Sequence, residues 1–115
     1  MTIARHEVGP RMSMAVAHNG VVYLAGQVAD DPAGKSVAEQ AASMEKIDRL
    51  LAQCGSDKSK LLQAQVWLDD IAHIQAFNTV WDNWVTPGQT PARACVQAPM
   101  ARPEYKVEIM VVAAT

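Results

Sequence analysis

Two charged side chains stand where charge is costly. Arg93 lies within Pro91-Ala92-Arg93-Ala94-Cys95-Val96, a short run of small apolar residues that reads as a strand. Glu108 lies within Val107-Glu108-Ile109-Met110-Val111, a second such run. An ionised group in a short apolar strand costs free energy unless it is paired or binds an ion. If the two strands lie near each other, guanidinium and carboxylate can share a pocket. One reading is a structural salt bridge. The other gives Arg93 a ligand carboxylate, matched by its planar fork, and leaves Glu108 to orient or activate a water. Taken on its strand alone, Arg93 reads better as half of a structural pair.

Other candidates are weaker. Cys95 shares a strand face with Arg93, but a nucleophilic thiol needs a His or another cation to lower its pKa. A small apolar filler is the better reading, with its backbone free to line a pocket. His6, His18 and His73 have no metal-ligand spacing, and Cys54 and Cys95 form no CxxC pair, so no metal site is expected. No serine lies in a GxSxG context, and no glycine run could cradle a phosphate. Trp67, Trp81 and Trp84 read as helix–sheet packing. Asn78 is the polar residue within the apolar stripe of a predicted helix. It is either a surface amide or a hydrogen-bond donor in a pocket.

The elements that must position these residues follow from pattern. Residues 1–11 are short and mixed, with Val8-Gly9-Pro10 as a turn. Met12–Ala17 and Val21–Gly26 read as strands joined by a hairpin turn at His18-Asn19-Gly20. The second of them has no polar alternation, which predicts cover on both faces. Ser36 and Glu39 form a capping box. Val37, Ala41, Met44, Ile47, Leu50, Leu51 and Cys54 follow at helical spacing, ended by Gly55. Gln40, Ser43, Glu45, Lys46, Arg49 and Gln53 read as the solvated face of that helix. Leu61–Leu68 is a strand with Leu62, Ala64, Val66 and Leu68 on one face. Asp69-Asp70 breaks it and caps a second helix carrying Ile71, Ile74, Phe77, Val80 or Trp81, and Trp84. Thr86-Pro87-Gly88-Gln89-Thr90-Pro91 ends that helix and restarts the chain extended. Tyr105–Ala113 is the last strand. The order β-β-α-β-α-β-β predicts one α+β domain over residues 1–115, with two helices on one face of a sheet.

Bulk properties bound the function. With 115 residues, 50% of them hydrophobic and 19% charged, the chain is expected to fold as one globular unit. A formal net charge of −2 and the lack of a basic run argue against nucleic-acid or anionic-membrane binding. Two unpaired cysteines, no apolar signal core and no membrane-length run point to the cytosol. Both faces of several strands are apolar, and two helices can cover only one face, so a homo-oligomer is expected.

Five stretches together resemble the Rid family, the reactive intermediate deaminases also known as the YjgF or L-PSP endoribonuclease family. They are Val22-Tyr23-Leu24-Ala25-Gly26-Gln27, the Gln40 helix ending in Gly55, Phe77-Asn78, Pro91-Ala92-Arg93-Ala94 and Val107-Glu108-Ile109. The resemblance runs from about Gly9 to the end. It implies a chorismate-mutase-like fold and a homotrimer, with three sheets forming a central barrel and ligand clefts between subunits. It implies hydrolysis of enamine and imine intermediates to 2-keto acids and ammonia, without metal or organic cofactor. In that family the residue matching Arg93 binds the substrate carboxylate, and the one matching Glu108 is linked to the attacking water. The one matching Cys95 lines the cleft chiefly through its backbone. The chain departs from the best-known deaminase pattern at two places. Ala25 replaces a serine before Gly26-Gln27, and Gly9-Pro10 is followed by Arg11-Met12-Ser13 rather than soon by a tyrosine, so that Arg11 or Ser13 would have to serve there. A divergent subgroup with another imine substrate, or a non-catalytic carboxylate binder, is therefore expected. The family's endoribonuclease label suits an acidic chain least.

Overall fold

A computed structural model describes residues 2–115. Six strands form one mixed sheet: β1 (Ala4–Val8), β2 (Ser13–His18), β3 (Val21–Leu24), β4 (Leu61–Leu68), β5 (Ala92–Gln97) and β6 (Val107–Ala114). Their order across the sheet is β1-β2-β3-β6-β4-β5. All pairs are antiparallel except β4 with β5, which are joined through a helix and run parallel. The helices are α1 (Val37–Gln40), α2 (Met44–Gln53) and α3 (Ile74–Trp84). The fold is α+β, as the strand and helix periods predict.

Local chemistry explains the joints. Asn19-Gly20 makes the two-residue turn of the β2–β3 hairpin, with both residues at positive φ. The capping box is formed: the Glu39 amide donates to Ser36 Oγ at 3.2 Å and the Ser36 amide to Glu39 Oε1 at 2.9 Å. Helix α2 closes with Ser56 N–H on Leu51 O and Gly55 N–H on Ala52 O, the paired bonds of a Schellman end. Asp70 caps the short turn before α3 by accepting from Ala72 N–H.

The core lies between the helices and one face of the sheet. Ala64, Val66, Leu68, Val107, Ile109, Val111 and Ala113 are buried there against Ile47, Leu50, Leu51 and Phe77. Period-two alternation turns the neighbouring residues to the other face, which no helix covers. Tyr23, Leu62, Val96 and Met110 stand 37–49% exposed.

Several expectations change. Strand β1 falls in the stretch read as mixed. Its Arg5-His6-Glu7 centre has no apolar alternation, yet it pairs with β2, and Glu7 binds Arg49 at 2.9 Å. The first helix is divided by a 3₁₀ turn at Ala41–Ser43. Gln40 and Ser43 are buried rather than solvated. A bulge between Leu61 and Gln63 puts Leu61 in the core and Leu62 outside. β3 ends at Leu24 and β6 starts at Val107, both shorter than read. Trp67 points to the uncovered face beside Glu108, away from the helices. Tyr23 also faces out, so β3 is not covered on both faces within one chain.

Candidate functional site

Arg93 sits on β5, the edge strand, in register with the buried Ala64, and so on the helix side. It is half-buried. Its guanidinium carbon lies 5.1 Å from the Trp81 ring centre and 5.9 Å from that of Phe77. These are cation–π distances, which set the fork over the α3 stripe. Arg93 Nη1 donates to Asn78 Oδ1 at 3.0 Å. Because arginine can only donate, Asn78 must turn its carbonyl inward, which leaves its amide hydrogens free to donate elsewhere. No carboxylate lies within ion-pair distance of Arg93 among the described residues. The structural salt bridge favoured for Arg93 on its own is thus not made within the chain. The fork keeps further N–H donors for an external anion.

The turn before β5 delivers Arg93 to this place. Gln89 N–H bonds Thr86 O at 3.0 Å, with Pro87 and Gly88 between and Gly88 at φ 77°. This is the type II arrangement, where proline suits the first corner and only glycine is unstrained at the second.

Cys95 follows on the same face, half-buried. Burial pushes its thiol above the ordinary value, and the Arg93 charge pulls back more weakly. The side chain is a filler at neutral pH. Its backbone has another part. Ala98 N–H bonds Leu68 O, so by parallel alternation Ala94 and Val96 face β4. The amides and carbonyls of Arg93 and Cys95 then point to the free edge, beside the guanidinium.

Glu108 is elsewhere. It lies on β6 in register with Trp67, on the uncovered face, and β4 separates its strand from β5. It is half-buried and makes no ion pair among the described residues. Ala25-Gly26-Gln27 runs alongside. Gln27 and Ile109 exchange backbone bonds of 2.8 and 3.0 Å, and the Ala25 amide bonds Met14 O. A Cβ on Gly26 would fall 2.0 Å from Glu108 Oε2, so the position admits only glycine while the carboxylate rests there. The buried Gln27 turns its amide back onto Ala25 O at 3.0 Å. Ser13 opens β2 opposite Val8 of β1 and shares the period-two face of the buried Ala15, not that of Glu108. Arg11 is exposed in the β1–β2 turn and makes no ion pair or side-chain hydrogen bond among the described residues.

The structure therefore brings together Arg93, Asn78 and Cys95, and separately Glu108, Gly26 and Ala25. It does not join the two groups in one chain, because they occupy opposite faces of the sheet. The shared pocket expected from two successive strands is not formed by a single copy. No group of metal-binding side chains occurs among the described residues.

A family model described as Endoribonuclease L-PSP matches residues 3–115. The chain belongs to that family, also known as Rid or YjgF. A RutC family protein from Haemophilus ducreyi is 38% identical over 112 residues, spanning 97% of this chain and 96% of its own. The RutC family protein YoaB from Escherichia coli is 40% identical over 114 residues, with 99% of both chains covered. A YjgF-family crystal structure from Neisseria meningitidis superposes with a TM-score of 0.96 at 46% identity, covering 100% of this chain and 96% of that one. Rid-family YyfA from Yersinia pestis gives 0.85 at 25% identity, covering 94% and 90%. The family fold is therefore that of this Rid chain. Among the described residues, no helix is long and apolar enough to cross a membrane.

Of the buried polar residues that sequence reasoning read as solvated, Gln40 bears on the site. Its side chain bonds the carbonyls of Pro32, Lys35 and Glu104 and accepts from the Lys106 amide. The signal was present. Gln40 stands three residues after Val37 and four before Met44, on the apolar stripe itself.

Proposed function

We propose that this Rid protein hydrolyses reactive enamine and imine acids to 2-keto acids and ammonia, in clefts between copies of the chain. The observation that carries this is the placement, on opposite faces of one sheet, of a guanidinium and a carboxylate that have no ion-pair partner among the described residues. Neither is spent on a structural pair, and a site using both must draw them from two chains. The uncovered apolar face beside Glu108 supports association through that face, as a homotrimer by resemblance.

The chemistry follows from the two groups. The Arg93 fork and the outward Cys95 amide hold the substrate carboxylate. Glu108 takes a proton from water as its oxygen adds to the imine carbon. That proton passes to nitrogen to complete the carbinolamine, whose hydroxyl then gives its own proton through Glu108 to nitrogen as the C–N bond breaks and the carbonyl forms, so that ammonia leaves with the keto acid. Neither redox change nor an organic cofactor is required by this balance. The cytosol, where such imines arise from amino acids, is the proposed compartment.

Ala25 favours a second reading. It presents no hydroxyl beside Glu108, and a pocket lacking one designed hydrogen bond discriminates against substrates that need it. On that reading the cleft binds a small carboxylate without turnover. The endoribonuclease description of the family model fits less well with a net charge of −2 and no basic run.

The test generates imines in situ from several amino acids and follows keto-acid release by wild type and Arg93→Ala. Faster release by wild type supports the deaminase, and equal rates sink it. A keto acid that raises the wild-type melting temperature without any turnover supports the binder.

A further inference from the structure

Between the two segments that frame Glu108 lies one fully buried amide. Gln40 Oε1 accepts the Lys106 N–H at 2.8 Å, and Nε2 reaches Glu104 O at 2.9 Å, Pro32 O at 3.1 Å and Lys35 O at 3.2 Å. Lys106 also donates its Nζ to Lys35 O at 2.8 Å and its carbonyl accepts from the Asp69 amide at 3.1 Å. Glu108 is therefore held two residues beyond a backbone pinned on both sides. Immediately after it, Ile109 is pinned to Gln27 by two bonds. The other end of the Gln40 amide holds the loop that leaves Gly26.

We propose that Gln40 is a positioning residue that sets the Glu108 carboxylate against Gly26 through Lys106. The proposal rests on the deaminase reading for its kinetic form alone. A solvated helix-face glutamine would make none of these bonds. A merely stabilising one would support both halves of the site alike. The hydrogen bonds of the Gln40 side chain instead go to the strand start of Glu108 and the loop after Gly26, with none to β5 or α3 among the described residues. Small misplacements of a catalytic group cost rate steeply, up to about a hundredfold per ångström.

The experiment uses Gln40→Glu and Gln40→Met in the full chain. The Glu variant keeps an acceptor for the Lys106 amide, whereas the Met variant loses every bond at nearly the same volume. Steady-state kinetics on in situ imines should show kcat reduced about tenfold or more in Gln40→Met and less in Gln40→Glu, with KM nearly unchanged. In NMR spectra the Glu108 carboxyl carbon should shift in both variants while the Arg93 Nε–H resonance stays in place. Should Gln40→Met fail to fold, Gln40→Glu carries both measurements. Equal loss through kcat and KM, movement of both resonances together, or a Glu108 resonance unmoved would each overturn the proposal. A wild type without turnover would refute the deaminase reading, and the two resonances would still decide the role of Gln40.

Discussion

The Arg93 half and the Glu108 half of the site are built by different means. Arg93 is placed by side chains: two aromatic faces below it and one amide carbonyl at its edge, on a strand with a free side. Glu108 is placed by backbone: a ladder on both sides, a pinned residue before and after, and a glycine whose missing Cβ makes room. A side-chain cradle leaves a long fork able to settle onto a ligand. A backbone cradle fixes a short carboxylate in one place. The first suits recognition, and the second suits delivery of a water to a fixed point.

The largest effect should come from dividing the halves between chains. Arg93→Ala and Glu108→Gln should each lower kcat/KM on the order of a hundredfold or more, as expected when one partner of a desolvated charged contact is removed. Arg93→Lys should not restore activity, because an ammonium lacks the bidentate fork. Co-refolding the two inactive variants should then recover activity, since an intact Arg93 can meet an intact Glu108 across a subunit contact. Random mixing predicts about a quarter of sites intact. Recovery no higher than either variant alone would place both groups in one chain's site and break the comparison.

Gly26→Ala should act on one half only. The added Cβ meets Glu108 Oε2, so the carboxylate must rotate or the loop must shift, at a cost of about 1–3 kcal/mol by analogy with overpacking. A falling kcat with keto-acid affinity preserved, together with a lowered melting temperature, is the expected outcome. Loss of keto-acid binding as well would mean that the halves are mechanically coupled.

How far the sequence exposed this division depends on what each half is made of. Arg93, Asn78 and Glu108 were visible because a polar residue inside an apolar period is conspicuous. Their faces were not, because period two assigns alternation but not which side of the sheet meets the helices. The bulge at Leu61–Gln63 shifts that phase within β4 without a glycine or proline to mark it. Gln40 and Ser43 were misplaced for a related reason. Polar type outweighed position, although both occupy stripe positions relative to Met44 and Ile47. Strand β1 was hidden because edge pairing needs little apolar content.

Asn78→Ala tests the side-chain cradle more gently. It removes one hydrogen bond from Arg93 and leaves both aromatic faces. About 1 kcal/mol of orientation is at stake, or roughly fivefold in KM with kcat little changed. The edge position of β5 makes this a modest effect, since solvent can replace the lost carbonyl. A large fall in kcat would instead assign Asn78 a direct bond to the reacting atoms through its free amide hydrogens.

Cys95 gives the smallest and most diagnostic effect. Burial holds its thiol protonated beyond the usual range, and Arg93 opposes this weakly. Alkylation by iodoacetamide should be slow at neutral pH and accelerate only as pH rises above the ordinary thiol value. In Arg93→Ala the opposing charge is gone, so the thiol rises further and labelling slows at a given pH. The stability sign follows from the same shift. A thiol that holds its proton more tightly folded than unfolded contributes fully below the unfolded value and loses that contribution as pH climbs through the folded one. Faster labelling in Arg93→Ala would show that the guanidinium shields the sulfur more than its charge activates it. That outcome would recast the fork as a lid over the β5 edge rather than an open anion seat.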